Sequence, residues 1–516
     1  MKIKYLVIPL IIINIILSAR WVIDGNIFFH TDIARDFLLM EDIVENKHFA
    51  LIGPRSGAIP GLFHGPLWLY LNIPAFLLGR GNPVFVGWFW ILLFIASLLT
   101  IYFAGKKLFN EETGLLSALL LSAVTILNIR ALFNPYGALI LTPLFFYFFV
   151  NYINYKKLKE LIFSILILGV IIQFQMAFGV PVAILAIIYL LHFLYKSKKL
   201  WHLTSLIVII FPLSSHILFE VRNNFLQTKS VISYLGGGQN HGKLDLNLIQ
   251  LITQRIREMF LDGLGSITQN NLYITMLLLL VMVITFLKII KHKPSEKRKY
   301  ILVAYFYFGF WLMAIFFKGP LWNYYYLPFI PLLILVFVSL KNLLNSTFFY
   351  ALFFLIYCIN MQVAIKDILH YEPDASKQDV STWKFNEMVA KNIFTGHENE
   401  FGYFIFTPDL YGYSPRFAMN FYQERQKDKK VYPYQKKAVT YLIIAPPPAY
   451  GKDPNSIWYQ KNTNSKLWKN NDIRIERNPD STISFDNGFT IEKYNLSNEE
   501  IAKDPNPYLI KDIFFR

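Results

Sequence analysis

The sequence predicts a mostly α-helical polytopic membrane protein, with about eleven transmembrane helices followed by a small extracytoplasmic α/β domain. Two observations carry this prediction. Of the 516 residues, 54% are hydrophobic and only 16% are charged, and the mean hydropathy is +0.38, which is typical of polytopic membrane proteins. The apolar residues before residue 364 also form runs close to the roughly 20 residues that a helix needs to cross a bilayer.

The apolar runs give the helices in order. Residues 1–23 resemble a signal peptide but lack a small-residue cleavage site and are followed by further spans, so we interpret them as an uncleaved first helix. The uncharged run 161–195 is too long for one span, and we expect it to turn near Phe178–Pro181. Further spans are predicted at 83–105, 114–129, 136–153, 160–177, 179–195, 200–219, 272–290, 300–317, 322–340 and 347–363.

The charges predict how the chain is oriented. Residues 1–363 carry 29 Lys and Arg against 14 Asp and Glu, or +15, and residues 364–516 carry 21 against 20, or +1, giving the total of +16. Short basic loops such as 154–160 and 195–200 predict a cytoplasmic N-terminus. We expect a multi-pass protein of the cell (cytoplasmic) membrane. Its odd number of spans then leaves the C-terminal domain on the extracytoplasmic side. We expect a membrane partner and no nucleic acid, because no basic run interleaved with aromatic residues is present.

The two long outer loops, 24–82 and 220–271, contain segments with helical periodicity that predict interfacial amphipathic helices. The apolar faces are Ile33, Phe37, Met40 and Val44 in the first and Leu248, Ile252, Ile256 and Met259 in the second, which leaves Arg255 and Glu258 on the polar side. Residues 65–79 are apolar but too short to span, so we expect a re-entrant or interfacial helix.

The transmembrane domain is thus predicted at 1–363 and the soluble domain at 364–516. In the soluble domain, residues 400–408 and 438–448 predict buried strands, 381–394 and 413–425 predict helices, and 482–496 predicts a hairpin.

The first outer loop opens with the charged stretch FFHTDIARDF, residues 28–37. Thr31 is expected to cap a helix, in which Asp32, Arg35 and Asp36 share one face. One interpretation is an exposed ion pair, with Asp36 simply solvated, worth at most a few tenths of a kcal/mol. Arg55 and the Gly/Pro-rich segment that precedes the aromatic run GPLWLYL favour instead a site for a lipid-linked anionic substrate.

The order of these features resembles GT-C-fold membrane glycosyltransferases, the superfamily of protein O-mannosyltransferases and lipid A aminoarabinose transferases. The resemblance covers most of residues 1–340. It implies that Asp32, an acid early in the first outer loop, is the catalytic position, and that Arg35 matches a basic residue one turn later. His64 stands where the family can place a cation before the amphipathic helix. Asn134 stands where some members have a second acid, so a mechanism with two carboxylates is not implied.

The implied reaction moves a hexosyl- or pentosyl-type sugar from a polyprenyl-phosphate donor to a lipid, glycan or protein acceptor. Asp32 is the expected general base, and cations are expected to stabilise the leaving phosphate, since the planar fork of Arg binds phosphate oxygens well. For each candidate cation the alternative is a snorkelling residue at the membrane interface. The candidate substrate-binding residues are Arg35, Arg55, His64, Arg130, Asn134, Glu220, Arg222, His241, Arg255, Lys318 and Tyr325.

No ligand spacing demands a metal, but carboxylates suit hard cations such as Mg²⁺ or Mn²⁺. The candidate ligands are Asp32, Asp36, Glu220 and His241. Two other functions remain open: a transporter or flippase for lipid-linked sugars, and a non-catalytic membrane scaffold.

Overall fold

The structure is a computed structural model that describes residues 4–56, 59–237, 244, 246–292, 297–407, 411–446, 465–507 and 509. The chain packs into two compact units. The first, here the membrane unit, comprises Met1–Arg20, Phe49–Asn72 and Trp88–His370, and the second, here the sheet unit, comprises Trp21–His48, Ile73–Gly87 and Tyr371–Arg516. The predicted domain division at residue 364 stays a prediction, and packing divides the chain differently because two early segments join the C-terminal residues.

The described residues form twenty α-helices and five strands. The helices are α1 Lys4–Ser18, α2 Arg20–Ile23, α3 Thr31–Glu45, α4 Leu67–Leu78, α5 Pro83–Leu108, α6 Glu111–Val124, α7 Pro135–Tyr155, α8 Leu158–Phe174, α9 Met176–Lys196, α10 Ser214–Arg222, α11 Leu226–Leu235, α12 Leu248–Arg257, α13 Leu272–His292, α14 Lys297–Ala314, α15 Ile330–Ser339, α16 Ser346–Leu369, α17 Trp383–Phe394, α18 Tyr413–Arg425, α19 Ser465–Leu467 and α20 Asn498–Ala502. The strands are β1 Glu400–Phe406, β2 Lys430–Pro433, β3 Val439–Ile444, β4 Ser481–Ser484 and β5 Thr490–Asn495.

The chain is a multi-pass membrane protein. Among the described residues, α5, α7, α9, α13 and α16 are long and apolar enough to cross a membrane, and Leu200–Ile210 with α10 makes a sixth span if this pair, bent by 69°, is counted as one. Every predicted span overlaps a helical segment. The count of eleven is not confirmed, because helices such as α1, α6 and α8 have only 15, 14 and 17 residues.

The turn expected near Phe178–Pro181 lies elsewhere. The helix breaks at Gln175, whose backbone is extended, and Pro181 lies inside α9. The last carbonyls of α8 accept hydrogen bonds from outside the helix: Gly65 N donates to Gln173 O at 3.0 Å and Asn134 Nδ2 donates to Phe174 O at 2.7 Å. A helix ends readily where other donors satisfy its final carbonyls, which the apolar pattern does not reveal.

A five-stranded sheet in the order β2-β1-β3-β5-β4 forms the centre of the sheet unit. Strands β2, β1 and β3 are parallel, and β5 and β4 add an antiparallel edge. The apolar runs of β1 and β3 are almost fully buried, as expected of parallel strands covered on both faces. The predicted strands and hairpin are all present.

Helix α3 belongs to the core of the sheet unit, so its prediction as an interfacial helix is wrong. It packs against α18, and the Phe37 ring lies 5.2 Å from Phe29 and 5.3 Å from Phe417 between ring centroids. Trp383 of α17 contacts Phe29 at 5.3 Å. The apolar periodicity correctly predicts a buried face, but periodicity cannot say whether lipid or protein covers that face.

We expect Phe37→Ala to lower the free energy of unfolding by about 3–5 kcal/mol, because Phe37 is fully buried and truncation leaves a cavity in the aromatic cluster. Thermal unfolding of the purified full-length protein in detergent measures this. Phe49→Ala, which truncates an exposed ring, is the matched control. Equal effects of the two changes would contradict the packing described here.

Candidate functional site

The charged stretch begins α3 at Thr31, one residue before the predicted start. His30, rather than Thr31, is the N-cap: its Nδ1 accepts a hydrogen bond from Asp32 N at 3.2 Å. Burial lowers the pKa of His30, more than Asp32 raises it. A neutral imidazole can accept this hydrogen bond, whereas a charged one cannot.

Arg35 binds both neighbouring carboxylates. Its Nη1 donates to Asp32 Oδ1 at 2.7 Å, while Nε and Nη2 donate to Asp36 Oδ1 at 3.2 and 3.0 Å. The side chain of Asp36 is 5% exposed and that of Asp32 is 39% exposed. The expectation that Asp36 is solvated is wrong: Asp36 is the buried partner, and Asp32 is the carboxylate that solvent reaches.

The electrostatics of the pair follow from burial. Burial raises the pKa of Asp36 to about 6, although Arg35 opposes the rise, and Asp32 adds to it. Burial alone would lower the pKa of Arg35, but the two carboxylates more than offset it and the pKa is raised. At neutral pH the guanidinium is therefore charged, Asp36 is mostly ionised, and both hold Asp32 in one orientation.

The described candidates for metal ligands already have partners within the protein. Asp32 and Asp36 share Arg35, whose positive charge disfavours a metal ion beside it. Glu220 accepts hydrogen bonds from Gln227 N at 2.9 Å and from Thr228 N and Oγ1 at 3.0 and 2.6 Å, which caps α11. His241 lies outside the described residues. Metal dependence stays a prediction.

A different acidic group was missed by the sequence analysis. Carboxylate oxygens of Glu41, Glu45 and Glu424 lie within 4.8 Å of one another, and Asn420 Nδ2 donates to Glu41 Oε2 at 2.7 Å. Burial raises the pKa of Glu41 to about 7, and a hydrogen bond with Glu424 raises that of Glu45 to about 8. The i, i+4 spacing of the first two was visible in the sequence, but Glu424 is brought in only by folding.

In the membrane unit, His64 ends a short paired segment. His64 N donates to Pro54 O at 2.9 Å and Gly53 N donates to His64 O at 2.8 Å, while Arg55 forms a bridge with Phe63. A Cβ on Gly65 would lie 1.7 Å from Gln173 Oε1, so glycine is needed for this close approach. The segment thus holds His64 half-buried and Arg55 exposed beside the start of α4.

The remaining candidates of the membrane unit differ in what they contact. Arg130 Nη1 binds both carboxylate oxygens of Asp367, at 3.1 and 2.9 Å, and Asn134 is occupied with the end of α8, as described above. Arg222 and Lys318 are exposed. Tyr325 is buried against Phe317, at 6.5 Å between centroids.

Arg255 is built into the protein. Its Nε donates to Ala314 O at 3.3 Å, its Nη2 to Phe317 O and Gly319 O at 2.9 and 2.6 Å, and its Nη1 to Glu258 Oε2 at 2.6 Å. These carbonyls belong to the last residue of α14 and to the segment that follows it, so Arg255 ties this segment to α12. A role for Arg255 in phosphate binding stays a prediction, while its hydrogen bonds indicate a structural one.

The apolar and polar faces predicted for α12 are both present, and the polar face is the one that the protein covers. Arg255 is 1% exposed and Glu258 is buried, whereas Leu248 and Ile256 are exposed. The helix therefore turns its polar side inward and part of its apolar side outward. In a chain that crosses a membrane, an exposed apolar face is covered by lipid, so amphipathic periodicity alone does not say which face meets protein.

Comparisons with known proteins give one family match and several structural matches. The model of the family described as dolichyl-phosphate-mannose-protein mannosyltransferase matches residues 64–219. ArnT from Cupriavidus metallidurans bound to undecaprenyl phosphate superimposes with a TM-score of 0.59 at 11% identity, over 96% of this chain and 99% of that one, and its apo state with 0.58 at 11% over the same shares. The apo oligosaccharyltransferase of Archaeoglobus fulgidus superimposes with a TM-score of 0.45 at 10% sequence identity, over 87% of this chain and 66% of that one. A search of curated proteins gives no match.

We expect Asp36→Asn to change how stability depends on pH. Folding raises the pKa of Asp36 from an ordinary value of about 4 to about 6, so between these values the folded state binds more protons. The free energy of unfolding of the wild type then falls as pH rises through this window, by about 3 kcal/mol from this group alone. Asp36→Asn removes that contribution.

The measurement is thermal unfolding of both proteins from pH 4 to 7. As the pH rises, the free energy of unfolding of Asp36→Asn should increase relative to that of the wild type. Asp428→Asn, in an exposed turn, should follow the wild type. A difference that does not vary with pH would contradict the burial of an ionisable Asp36.

We expect Arg255→Met to destabilise the protein by about 3–5 kcal/mol, because it leaves Glu258 buried without its cation. Arg257→Met, two residues further on at an exposed position, is the control and should change stability little. Unfolding in detergent measures both, and similar stabilities for the two variants would argue against a structural role for Arg255.

Proposed function

The chain has the GT-C fold of membrane glycosyltransferases, and from this premise we propose that it is an integral membrane glycosyltransferase. It moves a hexosyl- or pentosyl-type sugar from a polyprenyl-phosphate donor to a lipid, glycan or protein acceptor on the extracytoplasmic side. The orientation, with the N-terminus in the cytoplasm, rests on the basic short loops. The family match over 64–219 and ArnT, solved with undecaprenyl phosphate bound, support a lipid-phosphate donor.

The observation that carries the proposal is the geometry at the start of α3. Asp32 is a partly exposed carboxylate that the charged Arg35, whose side chain is 13% exposed, holds at 2.7 Å. Arg35 is in turn fixed by Asp36, which is buried. A base for proton transfer must be accessible to its substrate and held in one geometry, and Asp32 meets both requirements.

In the proposed reaction Asp32 accepts a proton from the acceptor hydroxyl or amine as that atom attacks the anomeric carbon. The bond between this carbon and the phosphate oxygen breaks, and the polyprenyl phosphate leaves with its electron pair. Cations near the departing oxygen lower the barrier by stabilising its charge. Exposed Arg55, Arg222 and Lys318 and half-buried His64 are the better candidates, since a phosphate can reach them.

The other candidates have hydrogen-bonding partners that suit supporting roles. Arg130 is paired with Asp367, Asn134 with the end of α8, Arg255 with carbonyls after α14 and Glu220 with α11. We assign these to positioning the loops. The scheme needs no metal step, and a requirement for Mg²⁺ or Mn²⁺ is a separate question that chelation with EDTA during the assay answers.

We expect Asp32→Asn to reduce sugar transfer by about 10²–10⁴-fold, the usual contribution of a general base. The assay follows radiolabelled sugar leaving a pool of polyprenyl-phosphate sugars in proteoliposomes that contain the purified protein and a lipid extract as acceptor. Asp42→Asn, on the same helix, is the matched control and should keep activity within a factor of a few.

Unchanged transfer by Asp32→Asn at normal protein levels would remove Asp32 from the mechanism. The same assay separates the alternatives. A transporter or flippase moves the labelled lipid across the vesicle membrane without transferring its sugar, and a scaffold does neither.

A further inference from the structure

The paired segment of the membrane unit, residues 53–56 and 62–65, carries Arg55 and His64, two of the candidate phosphate-binding cations. The hydrogen bonds from His64 N to Pro54 O and from Ser56 N to Leu62 O flank the bridge between Arg55 and Phe63. That bridge is therefore a pair of the non-hydrogen-bonded kind, in which the backbone N–H points away from the neighbouring strand. Because Phe63 is buried, its N–H needs an acceptor from outside the segment.

Gln227 of α11 supplies this acceptor. Its Oε1 accepts a hydrogen bond from Phe63 N at 3.0 Å, although the two residues lie 164 positions apart in the chain. Its amide nitrogen, which can only donate, lies 3.4 Å from His216 Nδ1 of α10. Gln227 is 5% exposed, so both ends of its amide face groups of the protein and its orientation is fixed.

The position of Gln227 is set by Glu220, which lies in the preceding helix. Glu220 Oε1 accepts a hydrogen bond from Gln227 N at 2.9 Å, and Oε2 accepts one from Thr228 N at 3.0 Å. These N–H groups belong to the first turn of α11, where they have no partner within the helix, and a carboxylate there is also favoured by the helix dipole. Glu220 thus fixes the start of α11 and, with it, the amide that holds Phe63.

Close packing restrains the segment at further points. Gly65 N donates to Gln173 O at 3.0 Å, and a Cβ on Gly65 would lie 1.7 Å from Gln173 Oε1. A Cβ on Gly61 would lie 2.3 Å from Ser230 Oγ of α11. Helix α11 therefore approaches this part of the chain at two places, and a shift of α11 displaces the strand that it contacts.

We propose that Gln227 is a positioning residue for the donor phosphate and that it acts through the backbone of Phe63 on Arg55 and His64. The inference rests on the proposed function and deepens it, because it gives the second outer loop a part in donor binding without direct contact. An apolar side chain would fill the same space but would leave Phe63 N buried without an acceptor. A segment that is held in place before the ligand arrives loses less entropy on binding.

The experiment measures the dissociation constant of undecaprenyl phosphate for the full-length protein in detergent, by titration and native mass spectrometry. Gln227→Met keeps the approximate size of the side chain and removes the acceptor of Phe63 N. We expect the dissociation constant to rise by about ten-fold or more, because the buried N–H can regain a partner only if the segment shifts. Arg55→Gln should also weaken binding, because it removes a cation that the segment presents.

The matched control is Asn360→Leu. Asn360 is also a buried amide that binds the backbone of a distant segment, with Nδ2 donating to Ile267 O at 2.8 Å. Its replacement should lower the thermal stability, as Gln227→Met does, and leave the dissociation constant unchanged. An unchanged dissociation constant in Gln227→Met, or an equal rise in Asn360→Leu, would overturn the proposal.

Two further measurements separate positioning from a general structural role. In the transfer assay, Gln227→Met should raise the KM for the polyprenyl-phosphate sugar and leave unchanged the amount of lipid extract that gives half the maximal rate. In an Arg55→Gln background, Gln227→Met should raise the dissociation constant by a smaller factor than in the wild type, because residues that act through one another are not additive. Equal factors in the two backgrounds would refute the assigned role.

The binding measurement requires no turnover, so the two proposals fail separately. If Asp32→Asn abolishes transfer while Gln227→Met binds undecaprenyl phosphate like the wild type, the glycosyltransferase proposal stands and the positioning role is refuted. If Gln227→Met and Arg55→Gln bind weakly while Asp32→Asn transfers sugar normally, the positioning role stands and Asp32 is not the base.

Discussion

The contact between Arg35 and Asp36 is the constraint on which the candidate site depends. Asp36 is buried and depends on Arg35 for its charge to be tolerated, since removing one partner of a buried pair costs about 3–5 kcal/mol. The same guanidinium reaches Asp32, the exposed member, with its remaining donor group. A single cation therefore connects the packing of the helix to the orientation of Asp32, the member of this cluster that solvent reaches.

A similar arrangement recurs in the membrane unit. Arg255 is buried beside Glu258, and its other donors bind carbonyls of the segment that follows α14. Arg35 and Arg255 thus hold carboxylates and backbone in place, whereas Arg55 and Arg222 are exposed. Burial thus separates the structural arginines from the accessible ones. We expect the phosphate-binding groups among the accessible arginines.

The sequence predicts much of this architecture from local patterns. The apolar runs place a helical segment at every predicted span, and the i, i+3 spacing of Asp32 and Arg35 predicts the ion pair that forms. The burial of Asp36, the burial of Arg255 and the break at Gln175 could not be predicted. Each depends on which residues cover a helix face or donate hydrogen bonds to the last carbonyls of a helix. Those residues come from distant parts of the chain: Gly65 and Asn134 for α8, and residues 314–319 for Arg255.

The packing of α3 on α18 also has a consequence during biosynthesis. Glu41 and its partner Asn420 are 379 residues apart, so roughly 20–80 seconds of translation at 5–20 residues per second separate their synthesis. Throughout that interval Phe37 of α3 can contact Phe29 but not its later partner Phe417. The helix that bears Asp32 is therefore synthesised early, and its packing is completed only after α18 has been made.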